Sequence, residues 1–180
     1  KEIIYGLGAV KGTGGAAIEA IVAERERGGA FTSFFDFCTR IDRSKINKRV
    51  VEALIKAGAF DEVHPLGLDG RSQLLASTSL GFEYADAQQR NALQTGLFDA
   101  DDGLGSLKRE PDYPAAPVWD VKQRLEHEKQ AIGYFLSGHL FDQTATEVRP
   151  MVGRPIVDAS DSRESVLLAG IVSGLRVVNG

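Results

Sequence analysis

One cysteine, one methionine and three histidines are the whole supply of sulfur and imidazole side chains in 180 residues. Cys38 therefore has no partner for an internal disulfide, and its setting in Phe34-Phe35-Asp36-Phe37-Cys38 predicts a small buried hydrophobe rather than a reactive thiol. His64, His127 and His139 lack the close spacing of metal ligands, so structural roles are expected and no metal site is. No apolar run approaches the roughly 20 residues that span a bilayer, and Lys1 to Val10 lacks the long apolar core of a secretory signal. A cytoplasmic protein with no membrane partner is expected.

What is present is an ordinary globular mixture, 43% hydrophobic and 26% charged, enough for one or two small domains. The net charge of -4 argues against a nucleic-acid partner only if it is spread evenly, and it is not. Lys1 to Phe60 holds 10 basic residues against 7 acidic ones, while the remainder holds 11 against 18. Arg40, Arg43, Lys45, Lys48 and Arg49 crowd ten positions with one acid, Asp42. Such a cluster is either a solvated helix entrance or an anion-binding face.

Hydrophobic spacing predicts a mainly α fold. Ile18, Ile21 and Val22 mark a first helix that Gly28-Gly29 closes, and Ser33 caps a second that ends near Arg40. Val50, Val51, Leu54 and Ile55 share one face of a third, which Gly58 stops as a left-handed cap. A longer helix is expected from Arg71 to about Arg90, with Leu74, Leu75, Thr78, Phe82 and Ala85 buried and Gly81 as its weak point. Asn91 to Pro117 turns to Gly, Asp and Pro and reads as a mobile linker. Asp120 then caps a helix with Val121, Leu125, Ile132 and Phe135 on one side, ending near Ser137-Gly138-His139. Ser165 to Val178 is aliphatic and β-branched and reads as strand, with the chain ending inside a β domain.

The glycine-rich Gly6-Leu7-Gly8-Ala9-Val10-Lys11-Gly12-Thr13-Gly14-Gly15 fails both nucleotide-binding patterns on spacing. It fits a hairpin between two helices: Val10 for packing, Lys11-Gly12-Thr13-Gly14 for the turn, then a helix opened by Gly15, Ala16 and Ala17. Glycines permit positive φ and close backbone approach, and a helix N-terminus offers free N–H groups to a phosphate. The pattern resembles the helix-hairpin-helix DNA-binding motif. Phe34 to Gly58 has the length of a second copy whose turn, Ile41 to Ile46, carries cations in place of glycines. The candidate DNA-binding residues are thus Lys11, Gly12, Thr13, Gly14, Gly15, Arg43, Lys45, Lys48 and Arg49. Whether the second copy grips DNA or only packs against the first stays open.

Tyr5 to Gly12, Ser33 to Cys38, Val51 to Asp61 and Glu128 to His139 together resemble the bacterial replicative DNA polymerase III alpha subunits over almost the whole chain. Leu140 departs from that family's pattern, where proline usually follows Ser-Gly-His. The resemblance implies a tandem helix-hairpin-helix domain over residues 1–61, a helical extension over 62–90, and a flexible linker over 91–117 with a sliding-clamp peptide. A helix leading out over 118–143 and the truncated start of an OB-fold over 144–180 complete the expectation. The clamp peptide falls on Gln94, Leu97 and Phe98, with Gly96 an unusual spacer. The implied partners are double-stranded DNA, the sliding clamp and, through the intact protein, other polymerase III holoenzyme subunits. Catalytic carboxylates and their Mg2+ are expected before Lys1, so this segment is expected to hold no catalytic residue and need no cofactor of its own. Two rivals remain: the hairpin segment of a DNA-repair enzyme, for which no catalytic Lys or Asp is identified, and a structural helical connector.

Overall fold

The computed structural model describes residues 5–95, 109–159, 165–172 and 177, with the backbone alone at 93–95. They form two compact units, Lys1–Tyr134 and Phe135–Gly180. Among the described residues the first unit contains α1 (Gly15–Gly28), α2 (Phe34–Arg40), α3 (Lys48–Lys56), α4 (Arg71–Ala76), α5 (Thr78–Thr95) and α6 (Val121–Ile132), with 3-10 turns at Leu7–Ala9 and Gly67–Gly70. The second contains α7 (Ala145–Val148) and 3-10 turns at Leu140–Gln143, Arg149–Met151 and Ile156–Asp158.

Helix α2 is too short to be stable alone, and packing supplies what its length cannot. Phe34, Phe35, Phe37 and Cys38 are all buried, and Phe60 meets Phe34 and Phe37 edge to face at 5.4 and 4.9 Å. Each such side chain contributes roughly 1.5–3 kcal/mol on burial. Burial also pushes the Cys38 thiol up to about 12, so it stays protonated and inert. Ser33 caps α2 through a bond from the Asp36 N–H at 2.9 Å, and Asn47 caps α3 through one from Val50 at 3.1 Å. Val50, Val51, Leu54 and Ile55 carry α3 into the same core.

The helix expected from Arg71 to Arg90 is two helices. The Ser77 hydroxyl donates to the Gln73 carbonyl at 2.6 Å, and Thr78 donates to Leu75 at 2.9 Å. Such back-bonding bends a helix, and here α4 ends and α5 begins. Gly81 has a packing reason: a Cβ there would lie 2.8 Å from Cys38 Sγ and 2.9 Å from Phe34 Cε1, so only glycine lets α5 close on α2.

Three further expectations are corrected. Helix α5 continues to Thr95, and the far part of the expected linker lies on the folded body. There Tyr113 packs against Phe35 at 5.2 Å and His64 at 4.5 Å, and Ser33 donates to Glu110 at 2.5 Å. Helix α6, capped by Asp120 with a reciprocal Gln123 bond, stops at Ile132 because Gly133 turns left-handed at φ +90°, so Phe135 lies beyond it. The expected strand from Ser165 to Val178 has no strand geometry at 165–172 or 177, the parts described. An extended segment needs a neighbour to pair its N–H and C=O groups, and among the described residues no strand pairs with it.

One ion network ties the first unit together. Arg71, buried on α4, forks onto Asp61 with bonds of 2.8 and 2.6 Å and reaches Glu128 on α6 at 2.8 Å. Burial opposes the guanidinium charge, but the two carboxylates outweigh it and hold its pKa above the ordinary value.

Candidate nucleic-acid interface

The first hairpin is built from the 3-10 turn Leu7–Ala9, the buried Val10, and a turn that needs glycine twice: Gly12 at φ +81° and Gly14 at φ +70°. A Cβ at Gly12, Gly14 or Gly15 would meet nothing within 4 Å, so the turn presents open backbone. The hydroxyl of Thr13 is not part of that surface. It is buried and donates to the Val10 carbonyl at 2.8 Å, bracing the turn from inside. Helix α1 has no side-chain cap and no acid in its first turn. The N–H groups of Gly15, Ala16 and Ala17 precede its first bond, from Ile18 to Gly14 at 3.3 Å. An uncapped N-terminus of this kind suits an anion.

The Lys11 N–H donates to the Ala131 carbonyl at 2.7 Å, anchoring the turn on the last residues of α6. Its exposed side chain lies beside Gly133, since a Cβ there would sit 3.2 Å from Lys11 Nζ. Lys11 lines one small cleft with Arg49, Glu52, Ala53 and Lys56 of α3 and Gln130 and Ala131 of α6.

The second hairpin, between α2 and α3, is held by Asp42, which accepts from the Ser44 N–H at 3.0 Å and its hydroxyl at 2.6 Å. Its cations are engaged. Arg43 pairs with Asp86 of α5 and lies over the Phe82 ring at 4.9 Å. Lys45 meets Asp42 at 3.6 Å, and Lys48 meets Glu52 at 3.9 Å and donates to Ser79 at 2.9 Å. Arg40, part of the basic cluster in sequence, turns inward to Glu24 at 3.0 Å and Asp36 at 3.0 Å, and donates to the Gly29 carbonyl at 2.9 Å. The structure thus joins Lys11 and Arg49 and sets Arg43 and Lys48 in a separate cleft with Ser79, Phe82, Glu83 and Asp86.

Lys56 is the basic residue that sequence reading missed. Its place on the face of Arg49, Glu52 and Ala53 at helical spacing was readable, but nothing local points to the α6 wall opposite. Of the expected clamp residues, Gln94 falls where only the backbone is described, and Leu97 and Phe98 lie outside the described residues. Among the described residues no group of His, Cys, Asp or Glu is placed to hold a metal ion, and no helix is long and apolar enough to cross a membrane.

The family model of the helix-hairpin-helix motif matches residues 1–69, which contain both hairpins. The DNA polymerase III subunit alpha of Neisseria meningitidis serogroup B is 42% identical over 179 residues, covering 99% of this chain and 15% of that protein. The chain is homologous to one segment of the DNA polymerase III alpha subunits. The Pseudomonas aeruginosa and Escherichia coli K12 subunits agree, at 36% and 35% identity, each across 98% of this chain. The chain spans about 15% of the length of these DNA polymerase III alpha subunits.

Proposed function

We propose that this segment grips duplex DNA through backbone phosphates and tethers a replicative polymerase to its sliding clamp during chromosome replication in the cytoplasm. The observation that carries the reading is the first hairpin: two positive-φ glycines with open backbone, an uncapped helix N-terminus, and exposed Lys11 beside them. Backbone N–H groups and lysines contact phosphates without reading bases, so binding is weakly sequence-specific and strongly salt-dependent. The engaged cations of the second hairpin favour a supporting role for that copy, packed beside the first through the α2 and α3 core.

The clamp contact is assigned to Gln94, Leu97 and Phe98. Burying the two apolar side chains in a pocket on the ring is worth about 1.5–3 kcal/mol each before ordering costs, a weak contact that tethering on DNA strengthens. The residues from 144 onward lead into an OB-fold in this reading, and Mg2+ with its catalytic carboxylates belongs to other parts of the intact polymerase.

The deciding experiment is a salt titration of binding to a primed duplex. A linear fall of log affinity with log salt, alike on unrelated sequences, supports the reading. Absence of duplex binding at moderate salt leaves the structural connector. For the clamp, Leu97→Ala with Phe98→Ala abolishes binding to immobilised clamp and leaves duplex affinity unchanged; a double variant that binds the clamp like the parent removes the assignment.

A further inference from the structure

The cleft between the first hairpin, α3 and α6 is small, about 140 Å³, below the roughly 300–1,000 Å³ of small-molecule sites. What it can take is a single compact group. Its lining decides the sign of that group. Lys11, Arg49 and Lys56 reach it from the hairpin turn and from the first and last turns of α3, and Gln130 adds an amide from α6. Among the described residues none of these three cations is in an ion pair with a carboxylate. The one acid in the lining, Glu52, is drawn to Lys48 at 3.9 Å. Three cations against one acid leave a surplus of positive charge around one hollow, and an anion relieves it.

We propose that this cleft is a discrete seat for one phosphate of the duplex backbone, with Lys56 and Gln130 completing a grip that the hairpin begins. The inference rests on the reading of the segment as a duplex-binding element, and deepens it by making α6 part of the contact. Lys11 joins the two parts: its backbone belongs to the glycine turn, and its N–H is fixed on Ala131, which also lines the cleft. The seat is preorganised, because residues of α3 and α6 pack into one core and the Lys11 N–H is fixed on Ala131 of α6. A phosphate arriving there orders only side-chain ends.

The experiment measures duplex binding by fluorescence anisotropy across a range of NaCl for the chain, Lys56→Gln, Lys56→Arg and Lys48→Gln, with thermal melts to show that each variant folds as the parent does. The inference expects Lys56→Gln to flatten the slope of log affinity against log salt by roughly 0.9, the share of one phosphate contact, equally on unrelated sequences. Lys56→Arg keeps the parent slope. Lys48→Gln, whose charge is already paired, changes it by less than half as much. A parent-like slope in Lys56→Gln, or equal effects from Lys48→Gln and Lys56→Gln, overturns the cleft while duplex binding stands. Failure of the parent chain itself to bind duplex overturns both. A last arm adds inorganic phosphate at constant ionic strength and follows the Lys56 and Gln130 NMR signals. Shifts there with no change of duplex slope in Lys56→Gln would assign the cleft to free phosphate and sink the DNA assignment.

Discussion

Two basic regions lie within fifty residues of each other and differ in what their charges already do. At the turn between α2 and α3, Arg43, Lys45 and Lys48 each face an acid: Asp86, Asp42 and Glu52. Around the first hairpin, Lys11, Arg49 and Lys56 share a cleft with one acid that leans elsewhere. A phosphate meeting the first group must displace a carboxylate, whereas one meeting the second displaces only mobile counterions. On the proposed reading, the densest run of cations in the sequence is therefore not the strongest anion site, and of that run only Arg49 belongs to the favoured cleft. Pairing decides it, and pairing is a property of the fold.

The comparison sharpens when a paired cation is also buried, and the largest expected effect follows from that. Exposed pairs such as Lys45 with Asp42 are worth about 0–1 kcal/mol, but Arg71 is 3% exposed and its partner Glu128 is 0% exposed. Arg71→Met takes a buried guanidinium away from two carboxylates at once, Asp61 and the fully buried Glu128, and is expected to cost about 3–5 kcal/mol in urea unfolding. A loss under about 1 kcal/mol would show that burial does not separate the two kinds of pair.

Backbone comes next. Gly12→Val or Gly14→Val puts its side chain in open space, so the cost is conformational, about 1–3 kcal/mol for a positive-φ position, with the high end expected at Gly14, whose φ 70° and ψ 148° suit glycine almost alone. Duplex affinity should fall alike on all sequences as the turn deforms. A variant that binds like the parent would shift the whole contact onto side chains.

Smaller still are the charge removals that test the comparison itself. Lys11→Ala with Arg49→Ala should flatten the salt slope by roughly 0.9 per residue. Arg43→Gln, Lys45→Gln and Lys48→Gln together should flatten it by less than half of that per residue, because each charge is already compensated. Equal slopes per residue removed would erase the distinction between paired and unpaired regions.

Local signals were legible in the sequence, and long-range ones were not. Ser33, Gly58 and Asp120 act within a few residues of their own positions, and the hairpin glycines Gly12 and Gly14 do too, so spacing alone revealed them. Gly133 was legible as well: a glycine after Lys129 in the last turn is a stronger stop than the periodicity that carried the expected helix on to Phe135. Gly81 reads as a flaw in a helix until Cys38 and Phe34 are placed against it. Arg40, Arg71 and Lys56 find their surroundings 16, 57 and more than 70 residues away in sequence, where no periodicity reaches. The aliphatic run after Ser165 shows the opposite error: strand composition with, among the described residues, no strand to pair with.

The least effect is expected from two histidines, and its sign is fixed. Burial holds the His64 imidazole below its ordinary 6.5, with Asp61 pushing back. Burial also lowers His127, and the Lys56 charge lowers it further, against a bond to Gln130 and the charge of Glu126. Both rings keep a buried nitrogen without a hydrogen-bond partner, Nε2 of His64 and Nδ1 of His127. As pH falls past about 6.5, the unfolded chain takes up protons that the folded chain still refuses, so folding stability is complete above that value and declines below it. Glu24 and Asp42 add their own losses only lower, below the ordinary 4.5 and 3.8 from which their partners depress them. Melting temperatures should therefore begin to drop between pH 7 and 5, above the range in which Glu24 and Asp42 add their losses. Lys56→Gln removes one of the two causes acting on His127, so its NMR-measured pKa should rise toward 6.5 and the acid loss should shrink. A phosphate seated beside Lys56 offsets the same charge and should move His127 in the same direction when duplex is added to the parent chain. If His127 titrates identically in parent and Lys56→Gln, Lys56 does not face the α6 wall, and the cleft lacks the cation that sets it apart from the paired region.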